Sequence, residues 1–533
     1  MITVLDWLES TAAKFADNIM CADAKKQITY ADFVKNAQAI GSFLCKYEKM
    51  RQPVAVFMDN SVEAWEAMLG VVYSGNFYVV IDALMPIERI KNIFTTLRPV
   101  AVIVDEKCQK QAAKLGLGQD VYDYEQIVQT SPDADKLQAV REKMIDADPI
   151  YALFTSGSTG VPKGTVLTHL SVMKYTQWYA ETFHIDENTV FGSQTPFYFS
   201  MSVSTMFSTI YTGAKLVVIP KQLFSFPVKL IEFMNEARIN TIYWVPSAMN
   251  MIANFKALDE HRLPFLKTVL FAGEAMPTKQ LNYWRRHLSA DTLYANLFGP
   301  TETTDIAAYY IIDRDFRDDE PIPIGHACRN CDVFVLKEDD TLAGADEEGE
   351  LCVRGSFLAS GYYDNPEKTG EVFVQNPLNT HYRDMIYKTG DLVKYNDRGE
   401  LVYITRKDFQ IKHQGYRIEL GEIETAVSAV SRVYECACIY DLERKLIIIY
   451  CSGQNLTSKD ILLGVRDRLP KYMLPNKMFF LENMPHNANG KIDKKCCKKF
   501  MRTRCKNENN NLYYPSFRTK YVYRRRGKAL YSD

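Results

Sequence analysis

The chain lacks several features that would place it at once. It has almost no net charge: 64 Lys and Arg against 65 Asp and Glu leave −1, so no general attraction to nucleic acid or a membrane surface is expected. It has no long apolar run. The stretch around Glu66–Met85 is broken by Ser74, Gly75, Asn76 and Asp82, short of the ~20 consecutive apolar residues of a membrane span. The twelve cysteines follow no framework, which suits reduced thiols in a cytoplasm. Cys328-Arg-Asn-Cys331 has no second pair and Cys496-Cys497 are adjacent, whereas a closed zinc site draws on about four ligands. No repeat of fixed period is visible. The opening MITVLDWLESTAAKFADN has no basic flank before an apolar core, so no signal peptide is expected.

What the chain does have is material for large cores. Apolar residues make up 47% of 533 and charged residues 24%, as in ordinary globular proteins. A single core stops growing near ~250–300 residues, so two to four structural units are expected. Pro53–Met58, Phe77–Asp82, Val100–Asp105, Lys215–Pro220, Thr241–Val245 and Thr268–Ala272 read as buried strands. Between them Ser61–Val72, Ile87–Leu97, Lys229–Ala237 and Thr278–His287 carry apolar residues at helical spacing. That alternation predicts α/β architecture with mainly parallel sheets. The pattern changes near Thr405. A helix at Leu420–Val430, a strand pair at Glu435–Tyr440 and Lys445–Cys451, and a helix at Ser458–Leu469 predict a small α+β domain. From Arg504 to Asp533 there are eight Lys or Arg against two acidic residues and little periodicity, which predicts a mobile basic tail.

The densest chemical signal is Thr155-Ser-Gly-Ser-Thr-Gly-Val-Pro-Lys-Gly164, after the apolar Ile150–Phe154. A phosphate site needs clustered backbone N–H groups, small residues and a cation. Gly157, Gly160 and Gly164 leave room, Thr155, Ser156, Ser158 and Thr159 add hydroxyls, and Lys163 adds charge. The spacing is not that of a Walker A loop, and a flexible surface loop is the alternative.

This loop resembles the signature of the adenylate-forming enzymes, a family that includes acyl-CoA synthetases, luciferases and peptide-synthetase adenylation domains. Five further blocks stand in the family's order: Phe271-Ala-Gly-Glu-Ala-Met-Pro277, Asn296-Leu-Phe-Gly-Pro-Thr-Glu302, Gly349-Glu-Leu-Cys-Val-Arg-Gly355, Tyr387-Lys-Thr-Gly-Asp391 and Asn489-Gly-Lys-Ile-Asp493. The resemblance implies a large N-terminal domain of two α/β subdomains plus a distorted β-barrel (1–406), a hinge at 407–408 with Asp408, a mobile α+β lid (409–503) and the tail (504–533). It implies ATP and Mg²⁺ as cofactors. Gly273 and Glu274 would line the nucleotide site, Phe298 would stack on adenine and Asn296 would meet the purine edge. Thr301 would contact phosphate, Glu302 would hold Mg²⁺, and Asp391 and Arg406 would sit at the ribose. Lys491 would carry catalysis by stabilising charge on the α-phosphate. By itself a lysine in Asn-Gly-Lys is a surface turn residue; its place in the last block gives it the other role.

The run from Phe409 to Glu424, FQIKHQGYRIELGEIE, is more similar to carrier-protein-dependent members, including D-alanine–carrier protein ligases, than to acyl-CoA synthetases. The implied partners are a small carboxylic acid and a separate carrier protein bearing a phosphopantetheine thiol, with a free-standing monomer expected. A D-alanine ligase, an acyl-CoA synthetase using free CoA, and an inactive nucleotide-binding protein are the alternatives. Aligning Pro196-Phe-Tyr-Phe-Ser-Met-Ser-Val203 with the family's Phe-Asp-x-Ser block puts Ser200 where an ammonium-binding aspartate stands in enzymes that activate α-amino acids. The other aligned pocket positions are Met201, Ser204, Tyr243, Leu270, Ala272, Leu297, Asp305 and Ile306. Asp305 is the odd acid among them. It is expected either to meet a substrate cation or hydroxyl away from the usual position, or to be solvated or paired within the protein.

Overall fold

The computed structural model describes residues 2–117, 120–157, 162–407, 410–442, 444–486, 492, 494 and 497. Ser158, Thr159, Gly160, Asp408, Lys491 and the tail at 504–533 lie outside the described residues.

Residues 1–422 together with 467–472 form one compact unit; 423–466 and the residues from 473 on form a second. In the larger unit, short Val- and Ile-rich strands are buried on both faces, as parallel strands between helices must be. One sheet runs Gly361–Tyr362, Lys163–Thr168, Pro149–Thr155, Phe77–Val80, Pro53–Phe57, Ala101–Val104, Val121–Asp123. Another runs His326–Ala327, Ala308–Ile311, Leu293–Phe298, Thr268–Ala272, Thr241–Trp244, Val190–Ser193, Lys215–Val218, Ile19–Ala22, Gln27–Thr29. Both are mostly parallel, with antiparallel strands toward their edges. The helix Ile87–Leu97 shows how sequence makes these layers. Ile90, Ile93, Phe94 and Leu97 form its buried stripe, the spacing of one helical face, and Arg98 ends it in the left-handed conformation.

The third sheet is wholly antiparallel: Cys331–Leu336, Gly349–Gly355 and Met385–Tyr395, the last pairing with both Phe373–Gln375 and Leu401–Arg406 along its length. It stands in the part of the chain where the family resemblance implies a distorted barrel. Beyond it the hairpin Gln410–His413/Tyr416–Glu419 turns at Gly415, φ 81°, a conformation that favours glycine.

The smaller unit begins at Ile423, where the sequence predicts a lid from 409 on, and it holds a strand that the sequence does not predict. Val433–Asp441 and Leu446–Gly453 do pair, but Lys477–Leu481 adds a third strand, parallel to Leu446–Gly453. The helix Ser458–Val465 makes the crossover that a parallel pair requires. Lys477–Leu481 is half-buried throughout, so it shows neither alternation nor a fully apolar run. Among the described residues no helix is long and apolar enough to cross a membrane.

Candidate functional site

The larger unit contains a cavity edged by the ends of several parallel strands and by the hairpin turn, the usual place for ligands in open α/β sheets. Its chemistry starts where the strand Leu293–Phe298 ends in Gly299-Pro300-Thr301-Glu302. Gly299 has to be glycine: a Cβ there would lie 2.3 Å from the Asp305 carbonyl oxygen and 2.5 Å from Ile306 Cα. Thr301–Thr303 then makes one 3₁₀ turn that carries Glu302 into the interior, fully buried.

Glu302 is held at both oxygens. Oε1 accepts from the Tyr362 hydroxyl at 2.7 Å and from Lys163 Nζ at 3.3 Å, and Oε2 accepts from Arg417 Nη1 at 2.7 Å. Burial alone would raise its pKa, but the Arg417 guanidinium and the Lys163 ammonium hold it well below the usual carboxylate range. Lys163 is pushed down to about 8, by burial first and Arg417 second, against the pull of Glu302 and Glu419. The result is an ionised carboxylate among cations that an arriving anion would also attract.

Immediately after Glu302 the backbone is strained. Thr304 has φ 70° and ψ −59°, and the Asp305 amide donates to the Thr303 carbonyl at 2.8 Å. This is a γ-turn of the rare left-handed sign, adopted by a β-branched residue that normally avoids positive φ. The Thr304 hydroxyl anchors it on the Phe357 carbonyl at 2.9 Å. The turn delivers Asp305 to a second wall of the cavity. Asp305 is buried, not solvated. Its Oδ1 accepts from Ser200 Oγ at 3.0 Å, and its Oδ2 from Ser204 Oγ at 2.8 Å, Tyr243 OH at 2.9 Å and Tyr175 OH at 3.2 Å. Burial pushes its pKa up and these hydroxyls pull it back.

A third group comes from strand register. Asp391 and Arg406 are cross-strand partners in the antiparallel sheet, so their side chains meet, with Arg406 Nη1 3.0 Å from Asp391 Oδ1. Burial raises the Asp391 pKa, opposed by Arg406, Lys412 and Arg417. Lys412 also stands over the Phe298 ring, 5.0 Å from its centroid. The hairpin turn is tied down by the Gly415 amide, which donates to Glu274 Oε1 at 2.8 Å, and by Ser156 Oγ, which donates to the Arg417 carbonyl at 2.7 Å. Five buried polar atoms on residues that edge the cavity have no partner among the described residues: Arg89 Nε, Thr155 Oγ1, Gln194 Oε1, Thr195 Oγ1 and Arg417 Nε. Buried groups of this kind are normally satisfied, so the cavity is built for a polar ligand.

Of the residues singled out in the sequence, Thr155, Ser156, Ser200, Met201, Ala272, Gly273, Thr301, Asp305, Ile306, Asp391 and Arg406 edge this one cavity. Ser204 and Tyr243 stand behind the wall and reach it through Asp305. Leu270 and Leu297 do not line it. They lie on adjacent parallel strands in the hydrophobic core, 0% and 2% exposed. Asn296 spends an amide N–H on the Pro323 carbonyl at 2.8 Å, a backbone-bracing role that its sequence block does not reveal. Gln194, Thr195, Tyr175, Tyr362, Lys412 and Arg417 carry no role assigned by a motif. Only Lys412 and Arg417 belong to a distinctive run, the one from Phe409 to Glu424.

The AMP-binding enzyme family matches residues 8–363, and the AMP-binding enzyme C-terminal domain matches 422–491. Tyrocidine synthase 1 of Brevibacillus parabrevis is 29% identical over 91% of this chain, which spans 44% of that protein. A D-alanine–D-alanyl carrier protein ligase of Bacillus cereus (strain B4264) is 28% identical over 92% of this chain and 98% of its own. The Vibrio cholerae adenylation domain AlmE, solved with glycyl-adenosine-5'-phosphate, superposes with a TM-score of 0.80 at 21% identity, over 94% of this chain and 98% of its own. The fold, the ordered blocks and these matches agree: the chain belongs to the AMP-binding enzyme family and is an adenylate-forming enzyme.

Proposed function

We propose that the chain condenses a carboxylic acid with ATP, releasing pyrophosphate, and passes the acyl group from acyl-AMP to the phosphopantetheine thiol of a separate carrier protein. One observation carries this reading. A single cavity is edged by Arg417, which pairs with the buried Glu302 and its neighbour Lys163 behind the wall, by a carboxylate–arginine pair (Asp391, Arg406) and by a partly apolar recess (Met201, Ala272, Ile306). Triphosphate, ribose and acyl chain ask for those three environments.

In this reading Asp391 accepts from the ribose hydroxyls, Phe298 faces adenine, and Thr155, Ser156 and Lys163 hold phosphate oxygens. The unpartnered Thr155 hydroxyl is a donor ready for one of them. Mg²⁺ commonly needs only one or two protein carboxylates when phosphates supply the rest. Ionised Glu302 fits that demand, and the bound ion would neutralise phosphate charge. Lys491 stabilises the charge that grows as the carboxylate attacks, and Asp408 serves as the hinge between the core and the lid. The carrier protein as acceptor draws support from the full-length match to a carrier protein ligase.

The test is carboxylate-dependent exchange of labelled pyrophosphate into ATP over a panel of amino, β-amino, hydroxy, aryl and fatty acids. A strong signal that vanishes in Lys491→Ala, with Asp391→Asn raising the KM for ATP by about ten- to a hundredfold, is the expected result. ATP binding without exchange for any acid would overturn it. Thioester formation with free CoA but not with a loaded carrier protein would move the acceptor to CoA.

A further inference from the structure

The four hydroxyls around Asp305 bring a countable number of protons. Ser204 Oγ and Tyr175 OH lie 2.7 Å apart, so one of their two protons is spent between them. Three remain for the carboxylate: one from Ser200 to Oδ1, one from Tyr243 to Oδ2, and one from the Ser204–Tyr175 pair to Oδ2. A carboxylate offers about four acceptor positions, two on each oxygen. Oδ2 is filled. Oδ1, which Ser200 also meets, keeps one open position, and both residues edge the cavity.

The carboxylate also has no cation in contact with it: among the described residues no ammonium or guanidinium forms an ion pair with Asp305, and Lys412 acts on it only through space. A buried carboxylate with hydroxyl partners alone is stabilised far less than one with a cation. A neutral hydroxyl at the open position would complete the hydrogen bonds but leave the charge uncompensated. A cationic donor satisfies both.

We propose that Asp305, aimed by Ser200, Ser204, Tyr243 and Tyr175, receives the ammonium group of the substrate at Oδ1, making this an enzyme for a small amine-bearing carboxylic acid. The proposal rests on the adenylation reading and deepens it. Tyr175 becomes a positioning residue: it sits on the helix His169–Thr182, outside every motif, and orders Ser204. The ammonium lies against Oδ1, within reach of Ser200, so the anion has moved across one hydrogen bond of 3.0 Å from where the family's aspartate would stand.

The experiment compares matched acids with and without the amine (β-alanine with propanoate, 3-aminobutanoate with butanoate, alanine and 2-aminobutanoate with the same partners), by pyrophosphate exchange and by equilibrium binding to the AMP-loaded protein. The expected result is a preference for one amine-bearing acid of about a hundredfold or more. In Asp305→Asn that preference collapses while ATP affinity is retained. In the Ser200→Asp/Asp305→Ser double variant it returns with a changed ranking of acids. Tyr175→Phe weakens the preference, raising KM more than it lowers kcat. Equal use of amine-free acids, selection of a hydroxy acid, or an unchanged preference in Asp305→Asn would overturn the proposal. Absence of exchange with every acid would sink the adenylation reading instead, and the binding measurement would still decide the anchor.

Discussion

Replacing His169 with asparagine should flatten the acid side of the protein's stability profile. His169 opens the helix His169–Thr182, and its Nδ1 accepts the Val4 amide at 3.3 Å. Val4 is the first residue of the helix Val4–Lys14, whose leading N–H groups have no partner within the helix. Accepting that bond requires a neutral ring. Burial pushes the imidazole from 6.5 down to about 4, with Asp148 pulling the other way. The folded protein therefore binds this proton less readily than the unfolded chain. Stability is complete above pH 6.5 and is lost as pH falls toward 4. With those two values the loss is about 2 kcal/mol at pH 5 and about 3 kcal/mol at pH 4. Asparagine keeps an acceptor near the Nδ1 position and has no proton to gain. The assay is urea unfolding followed by tryptophan fluorescence between about pH 7.5 and 5, a window in which few carboxylates titrate. Trp7, buried on the docked helix, gives a local signal. The wild-type midpoint should fall through this window and the variant's should stay nearly level. Parallel curves would refute the reasoning.

Two further outcomes follow from the site. Arg417→Ala removes the charge that, after burial, most depresses Lys163, so the pH at which an amine reagent half-labels Lys163, read by mass spectrometry, should rise from near 8. Gly299→Ala forces a methyl against the backbone at Asp305 and Ile306. The expected cost is about 1–3 kcal/mol or more in thermal unfolding, together with loss of acid-dependent exchange.

Much of this architecture is legible in the sequence. Thr268–Ala272, Ile87–Leu97 and Thr278–His287 fall where periodicity puts them, because each buries a continuous stripe or run. Lys477–Leu481 escapes such reading because a half-buried edge strand has no signature of that kind. At the site, ordered blocks mark Glu302 and Asp391, since motif residues keep their spacing, and the pocket alignment marks Asp305. What no spacing encodes is convergence. Tyr175 reaches Asp305 from 130 residues away, Arg417 reaches Glu302 from 115, and Gln194 and Thr195 meet the cavity from a loop with no motif. Such contacts exist only once the sheets are assembled. Leu270 and Leu297 show the converse: alignment assigns them to a pocket, while strand pairing puts them in the core.

In the proposed reading, the turn at Thr304 joins the two ends of the reaction. Glu302, proposed for the phosphate side, and Asp305, proposed for the acid side, are separated by a link that is already wound the unfavourable way, which would let it act as a short, stiff lever. Whatever replaces Arg417 on Glu302 when nucleotide arrives would then shift one arm, and the other arm carries the group proposed to read the acid. Acid selectivity measured on the nucleotide-free protein should then differ from selectivity on the loaded one. Relaxing the lever with Thr304→Gly should bring the two closer together, even as the backbone itself gains ease.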